Sequence, residues 1–90
     1  MLEAYAQILG YIATIYGSLM SSAYIFQIHK MYKRKSSADV SVTTYSILLG
    51  GFIVWLVYGL SINDFPIIIT NAVAMVAGIS VITTYFIYKK

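Results

Sequence analysis

Three long apolar runs dominate this chain, at about residues 4–28, 43–62 and 65–88. Each matches or approaches the ~20 residues that an α-helix needs to cross a hydrocarbon core roughly 30 Å thick. Lipid offers no partner to a bare N–H or C=O, so segments of this kind cross as helices. The predicted fold class is an all-α integral membrane protein, with one three-helix transmembrane unit over residues 1–90. A chain of 90 residues with 60% hydrophobic and 10% charged side chains lies far from the composition of a soluble domain. No basic residue precedes the first run, and it is too long for the apolar core of a signal peptide. It is expected to remain in the mature protein.

The charges follow the spans. All six Lys and Arg residues fall at Lys30, Lys33, Arg34, Lys35, Lys89 and Lys90, whereas Glu3 and Asp64 mark the other side. The positive-inside rule then puts the N-terminus outside and the C-terminus in the cytoplasm, across a cell inner (plasma) membrane. An odd number of spans is what places both basic clusters on one side. Charges confined to span ends read as topology anchors touching anionic lipid heads, and no nucleic-acid partner is expected.

Between Gly50 and Asn71 the sequence GGFIVWLVYGLSINDFPIIITN reads as a tight hairpin joining two spans. Asn63-Asp64 offers an N-cap just ahead of Pro66, and proline suits a first helical turn. Counting along the helices places Trp55 about 9 Å from Ser61 and Asn71 about 8 Å from Pro66, and so at similar depth. Taken singly, Trp55 reads as packing and Asn71 as interhelical glue. Their equal depth, with small residues Ala74 and Gly78 below Asn71, points to a binding site.

The remaining chemistry is neutral. With no cysteine, a single histidine and three acids at span ends, no acid–base pair and no metal cage can be assembled. The protein is predicted not to be an enzyme, and no cofactor or metal is expected. His29, beside the basic cluster, reads as a solvated interfacial histidine. An ion-coupled carrier needs a carboxylate or histidine within the membrane, which argues against coupling here. Trp55, Asn71, Gln27 and scattered hydroxyls suit an uncharged, hydrogen-bonding solute. A sugar fits, because its C–H face stacks on indole and its hydroxyls match an amide in both senses. Three helices hardly enclose a path wide enough, so a parallel homodimer is expected, rocking about a midplane site.

Elsewhere, Gly10, Ala13, Gly17 and Ser21 share one face of the first span, as ordinary close packing or as a moving interface. Ser18, Ser21 and Ser22 are expected to bond back to carbonyls one turn earlier, or to offer hydroxyls to a pore. Ser41, Thr43 and Thr44 are candidate caps for the second span. Gly51, Trp55, Tyr58 and Ile62 form a stripe. Tyr16, Tyr24, Tyr85 and Tyr88 read as interface anchors or packing.

The pattern W-x2-YG-x4-D-x-P-x4-N, formed by Trp55, Tyr58-Gly59, Asp64, Pro66 and Asn71, resembles the SemiSWEET sugar transporters, bacterial half-size members of the SWEET and PQ-loop (MtN3) families. The likeness covers roughly residues 26–90. It implies a homodimer that moves mono- or disaccharides down their gradient as a uniporter. Trp55 and Asn71 match the sugar-contacting pair, and Tyr58 and Asp64 match two members of an outer gate. Two positions depart from the pattern. The Pro-Gln of the first span is Phe26-Gln27 here, so bending has to come from Gly17 or from Ser21-Ser22. Ile62 stands where a basic gate partner is often found, leaving Asp64 without an evident ion pair. Size and topology alone also fit a small pore-forming, holin-like protein or an accessory subunit of a larger complex, but neither accounts for the spacing.

Overall fold

A computed structural model describes residues 2–89 of the chain. After a short 3₁₀ turn, Leu2–Tyr5, come α1 (Ala6–Ser22), α2 (Tyr24–Arg34), α3 (Val42–Ile62) and α4 (Phe65–Tyr88). Leu2–Arg34, Val42–Ile62 and Phe65–Tyr88 are each long and apolar enough to cross a membrane. The 21 residues of α3 rise about 31 Å, the thickness of the hydrocarbon core.

The first rod is interrupted at Ala23. Its N–H donates to the Met20 carbonyl at 3.2 Å, and the Phe26 N–H donates to the Ala23 carbonyl at 3.1 Å, the i to i−3 pattern of a tighter turn. Just before it, the Ser21 and Ser22 hydroxyls donate to the Gly17 and Ser18 carbonyls at 3.1 and 2.9 Å. Such back-bonding loosens a helix locally, so the irregularity follows Ser21-Ser22 rather than Gly17.

The first segment also continues past residue 28, the expected end of its span, to Arg34. The reason is packing. Met31 is fully buried against Val40 and Val81, flanked by Tyr24, Ile28, Tyr45, Tyr85 and Tyr88. Lys30, Lys33 and Arg34 stay exposed on the other face, and Arg34 pairs with Asp39. The helix ends at Lys35, which adopts the left-handed conformation with φ 52°. There the Ser36 N–H reaches back to the Met31 carbonyl at 3.3 Å, closing a Schellman-type cap.

Local chemistry sets the other boundaries. The Ser41 hydroxyl accepts from the Thr44 N–H at 3.1 Å and caps α3. The hairpin is only Asn63 and Asp64. Asn63 takes φ 54°, a conformation asparagine tolerates, and Asp64 Oδ1 accepts from the Ile67 N–H at 3.1 Å. Pro66 lies in the first turn of α4, where it forfeits no helical hydrogen bond.

α4 is the central rod. It packs against α1, α2 and α3, while the backbones of α1 and α3 do not approach each other. Glycine brings it close on both sides. A Cβ on Gly17 of α1 would lie 2.5 Å from Thr70 Cγ2, and one on Gly59 of α3 would lie 2.7 Å from Ile67 Cγ2. The outcome is a slab of 52 × 22 × 16 Å with a small interior. Among the described residues only Met31, Val40, Ala74 and Val81 are buried hydrophobics, and many large apolar side chains face outward. Such a surface suits lipid or a second protein.

Candidate functional site

With α4 between the other rods, a groove of about 360 Å³ opens along one side of it. That volume lies within the range of small-molecule sites, roughly 300–1,000 Å³. α4 contributes Thr70, Asn71 and Ala74, the first rod contributes Gly17, Ser21 and Tyr24, and α3 contributes Leu48 and Phe52. Every side chain lining it is uncharged. The α4 face that holds Asn71 continues through buried Ala74 and Gly78, and these small residues bring α3 close.

Most of the groove's polar groups are already engaged. The Ser21 hydroxyl donates to the Gly17 carbonyl, and the Thr70 hydroxyl donates to the Pro66 carbonyl at 2.7 Å. Asn71 Nδ2 donates to the Ile67 carbonyl at 2.8 Å. This bond uses one of its two N–H groups and leaves Oδ1 and the other N–H for a ligand. Tyr24 forms an aromatic wall with α3, edge-on to Tyr45 at 5.2 Å and tilted to Phe52 at 6.5 Å between ring centres.

Trp55 is elsewhere in the protomer. It is 55% exposed and lines a separate concavity of about 450 Å³ with Val54, Tyr58 and Ile67. Its ring meets Tyr58 edge to face at 5.7 Å. Ile67 adjoins both places, since it lines the Trp55 concavity and its carbonyl accepts from the Asn71 amide. One protomer thus brings Trp55 and Tyr58 together in one concavity and puts Asn71 in the adjoining groove.

The remaining candidates also part company. Asp64 borders a third concavity, between the start of α1 and the hairpin, with Gln7, Tyr11 and Pro66 but not Tyr58. Phe26 is 71% exposed, and neither it nor Gln27 lines the Asn71 groove. Conversely, Tyr24, Leu48, Phe52 and Thr70 belong to the groove without having been singled out as ligand contacts. A signal for Tyr24 existed, because Gly17, Ser21 and Tyr24 follow the i, i+4, i+7 spacing of one helix face.

Comparison with known proteins gives this geometry a family. The model of the family described as "Sugar efflux transporter for intercellular exchange" matches residues 7–90. The sugar transporter SemiSWEET of Bradyrhizobium diazoefficiens is 40% identical over 53 residues, which are 59% of this chain and 62% of that protein. The chain thus spans somewhat under two thirds of that relative. The SemiSWEET of Leptospira biflexa is 29% identical over 68 residues, 76% of either chain. Among solved structures, a bacterial homologue of SWEET transporters superposes with a TM-score of 0.82 at 31% identity, covering 90% of this chain and 98% of that one. With nearly its whole length matched and its three-rod architecture shared, this chain belongs to the SemiSWEET and SWEET (MtN3) family of membrane sugar transporters.

Proposed function

We propose that the protein is a bacterial sugar uniporter that carries mono- or disaccharides of the glucose and sucrose class by alternating access in a parallel homodimer. The observation that carries the reading is the groove beside α4. It is uncharged, sized for a small molecule, and holds an asparagine with an uncommitted donor and acceptor. Family membership supplies the solute class.

A second copy supplies what one protomer lacks. The slab is open along the groove, and the α3 stripe of Trp55, Tyr58 and Ile62 is about half exposed. In a two-fold dimer the Trp55 of each copy faces the central space, and Asn71 lines the same space from the next helix. Indole then stacks on a sugar face and the amide binds hydroxyls. Tyr58, braced on Trp55, closes the outer end above them. Asp64 acts there through its neighbouring hairpin.

Transport without ion coupling agrees with the placement of charge. Asp39 and Asp64 sit in connections between helices, and His29 lies next to the basic end of α2. Lys30, Lys33, Arg34, Lys35 and Lys89 gather at one end of the slab, where Tyr32 and Tyr88 meet at 6.4 Å. By the positive-inside rule this end is cytoplasmic, at the inner membrane, and the start of α1 is outside.

Counterflow of labelled glucose and sucrose in proteoliposomes tests the proposal. Wild type is expected to exchange at least one of them with saturation. Trp55→Ala and Asn71→Ala are each expected to reduce exchange at least tenfold (roughly the loss of one or two charge-free contacts) while keeping the dimer. Normal rates in either variant would refute that residue's place at the sugar, and unsaturable leakage of all solutes would refute the carrier.

A further inference from the structure

We infer that Tyr24 is a specificity-determining residue whose phenol hydroxyl binds one hydroxyl of the sugar from the wall of the groove opposite α4. The inference rests on the carrier reading above and adds a contact that the Trp55 and Asn71 pair does not provide.

Of the groove's hydroxyls, Ser21 and Thr70 spend their protons on the Gly17 and Pro66 carbonyls of their own helices. Asn71 keeps one N–H and its Oδ1. Tyr24 alone among these hydroxyl residues has no hydrogen bond to the described residues, yet no buried side-chain oxygen or nitrogen there is left without a partner. The Tyr24 oxygen is therefore not sealed in the interior, and Tyr24 is one of the residues that line the groove. A phenol that makes no hydrogen bond within the protein can exchange water for a sugar hydroxyl when a polyol arrives.

The ring is held for this task. Tyr24 stands edge-on to Tyr45 and tilted against Phe52, so the ring is held by packing on α3. It has only two side-chain torsions to fix, and binding through it costs little conformational entropy. Tyr24 also opens α2 directly after the Ala23 turn. A phenol both donates and accepts, which is the match a sugar hydroxyl requires.

Tyr24→Phe removes the oxygen and preserves the ring against Tyr45 and Phe52. In proteoliposome counterflow the variant is expected to show a glucose KM raised about three- to tenfold, the loss of one neutral hydrogen bond, with unchanged maximal rate and an intact dimer by size exclusion. A panel of monodeoxyglucoses identifies the contact. One analogue, already lacking the hydroxyl that Tyr24 binds, is expected to give the same KM in wild type and Tyr24→Phe, while the others retain the penalty. A glucose KM unchanged by Tyr24→Phe, or an equal penalty for every analogue, would overturn the role of Tyr24 while leaving the carrier intact. Absence of any wild-type counterflow would overturn both together.

Discussion

Asp64 shows how one side chain can hold a fold together at a place where a gate is expected. Its Oδ1 accepts from the Ile67 N–H, which satisfies a helix-end donor that lipid could not. Loss of such a cap costs about 1 kcal/mol, and asparagine caps as well as aspartate. Asp64→Ala is therefore expected to lower stability to unfolding in detergent by about 1 kcal/mol, with Asp64→Asn near wild type. Counterflow separates the two duties. If the carboxylate charge also closes the outer end, Asp64→Asn slows exchange without loss of stability. Equal stability in all three proteins would exclude the capping role. This residue was readable from sequence because a cap depends on neighbours three positions away: Asp64, Pro66 and Ile67 say where α4 begins without reference to any other helix.

The helices pose a different question, namely where the first rod can bend with Phe26 where the resemblance leads one to expect proline. The break at Ala23 answers it. Phe26 is the third residue of α2, and its N–H makes an i−3 bond to Ala23. Its side chain points outward. Proline in a helix interior costs about 3 kcal/mol or more, chiefly from the lost bond and a clash one turn back. Within the first turn after a break, the loss approaches that of a single hydrogen bond, about 0.5–1.5 kcal/mol. Phe26→Pro is thus expected to yield a folded dimer in detergent with a stability loss in the lower range. A loss of about 3 kcal/mol would mean that α1 and α2 act as one continuous helix. The same scale marks where sequence reading stopped. Counting residues gives the depth of Trp55 and Asn71 along their helices, since rise per residue is fixed. The direction in which each side chain points depends on which helices flank α4 and at what rotation. Gly17 against Thr70 and Gly59 against Ile67 decide that, and these contacts join residues about fifty and eight positions apart whose pairing no local pattern announces. Tyr24 reads in the sequence only as an anchor or packing residue for this reason: its spacing marks a helix face, but only the packing against Tyr45 and Phe52 shows that the face borders a groove.

For the whole molecule, the decisive property is that it has two unlike ends. The C-terminal ends of α2 and α4 lie together, joined by the hydrogen bond from the Ser37 hydroxyl to the Tyr85 carbonyl at 2.9 Å, while the first turn of the chain lies at the other end of a slab 52 Å long. With three spans, the start and finish of one copy face opposite sides of the bilayer. Two parallel copies therefore cannot be fused by a polar tether, which would have to cross a hydrocarbon core roughly 30 Å thick. A fused pair with one added apolar helix of about 20 residues as linker restores the parallel orientation. It is expected to form a single-chain carrier with wild-type counterflow. The same fusion through a Gly-Ser linker of equal length is expected to lose counterflow, or to recover it only by pairing with other chains, visible as a larger species on size exclusion. An antiparallel dimer makes the opposite demand. There the end of the first copy and the start of the second share one side, so the Gly-Ser fusion would work and the helical linker would not. If, as proposed, Lys30, Lys33, Arg34, Lys35 and Lys89 hold their end of every copy on the cytoplasmic side, the dimer is parallel, and activity of the Gly-Ser fusion as a single chain would overturn that proposal.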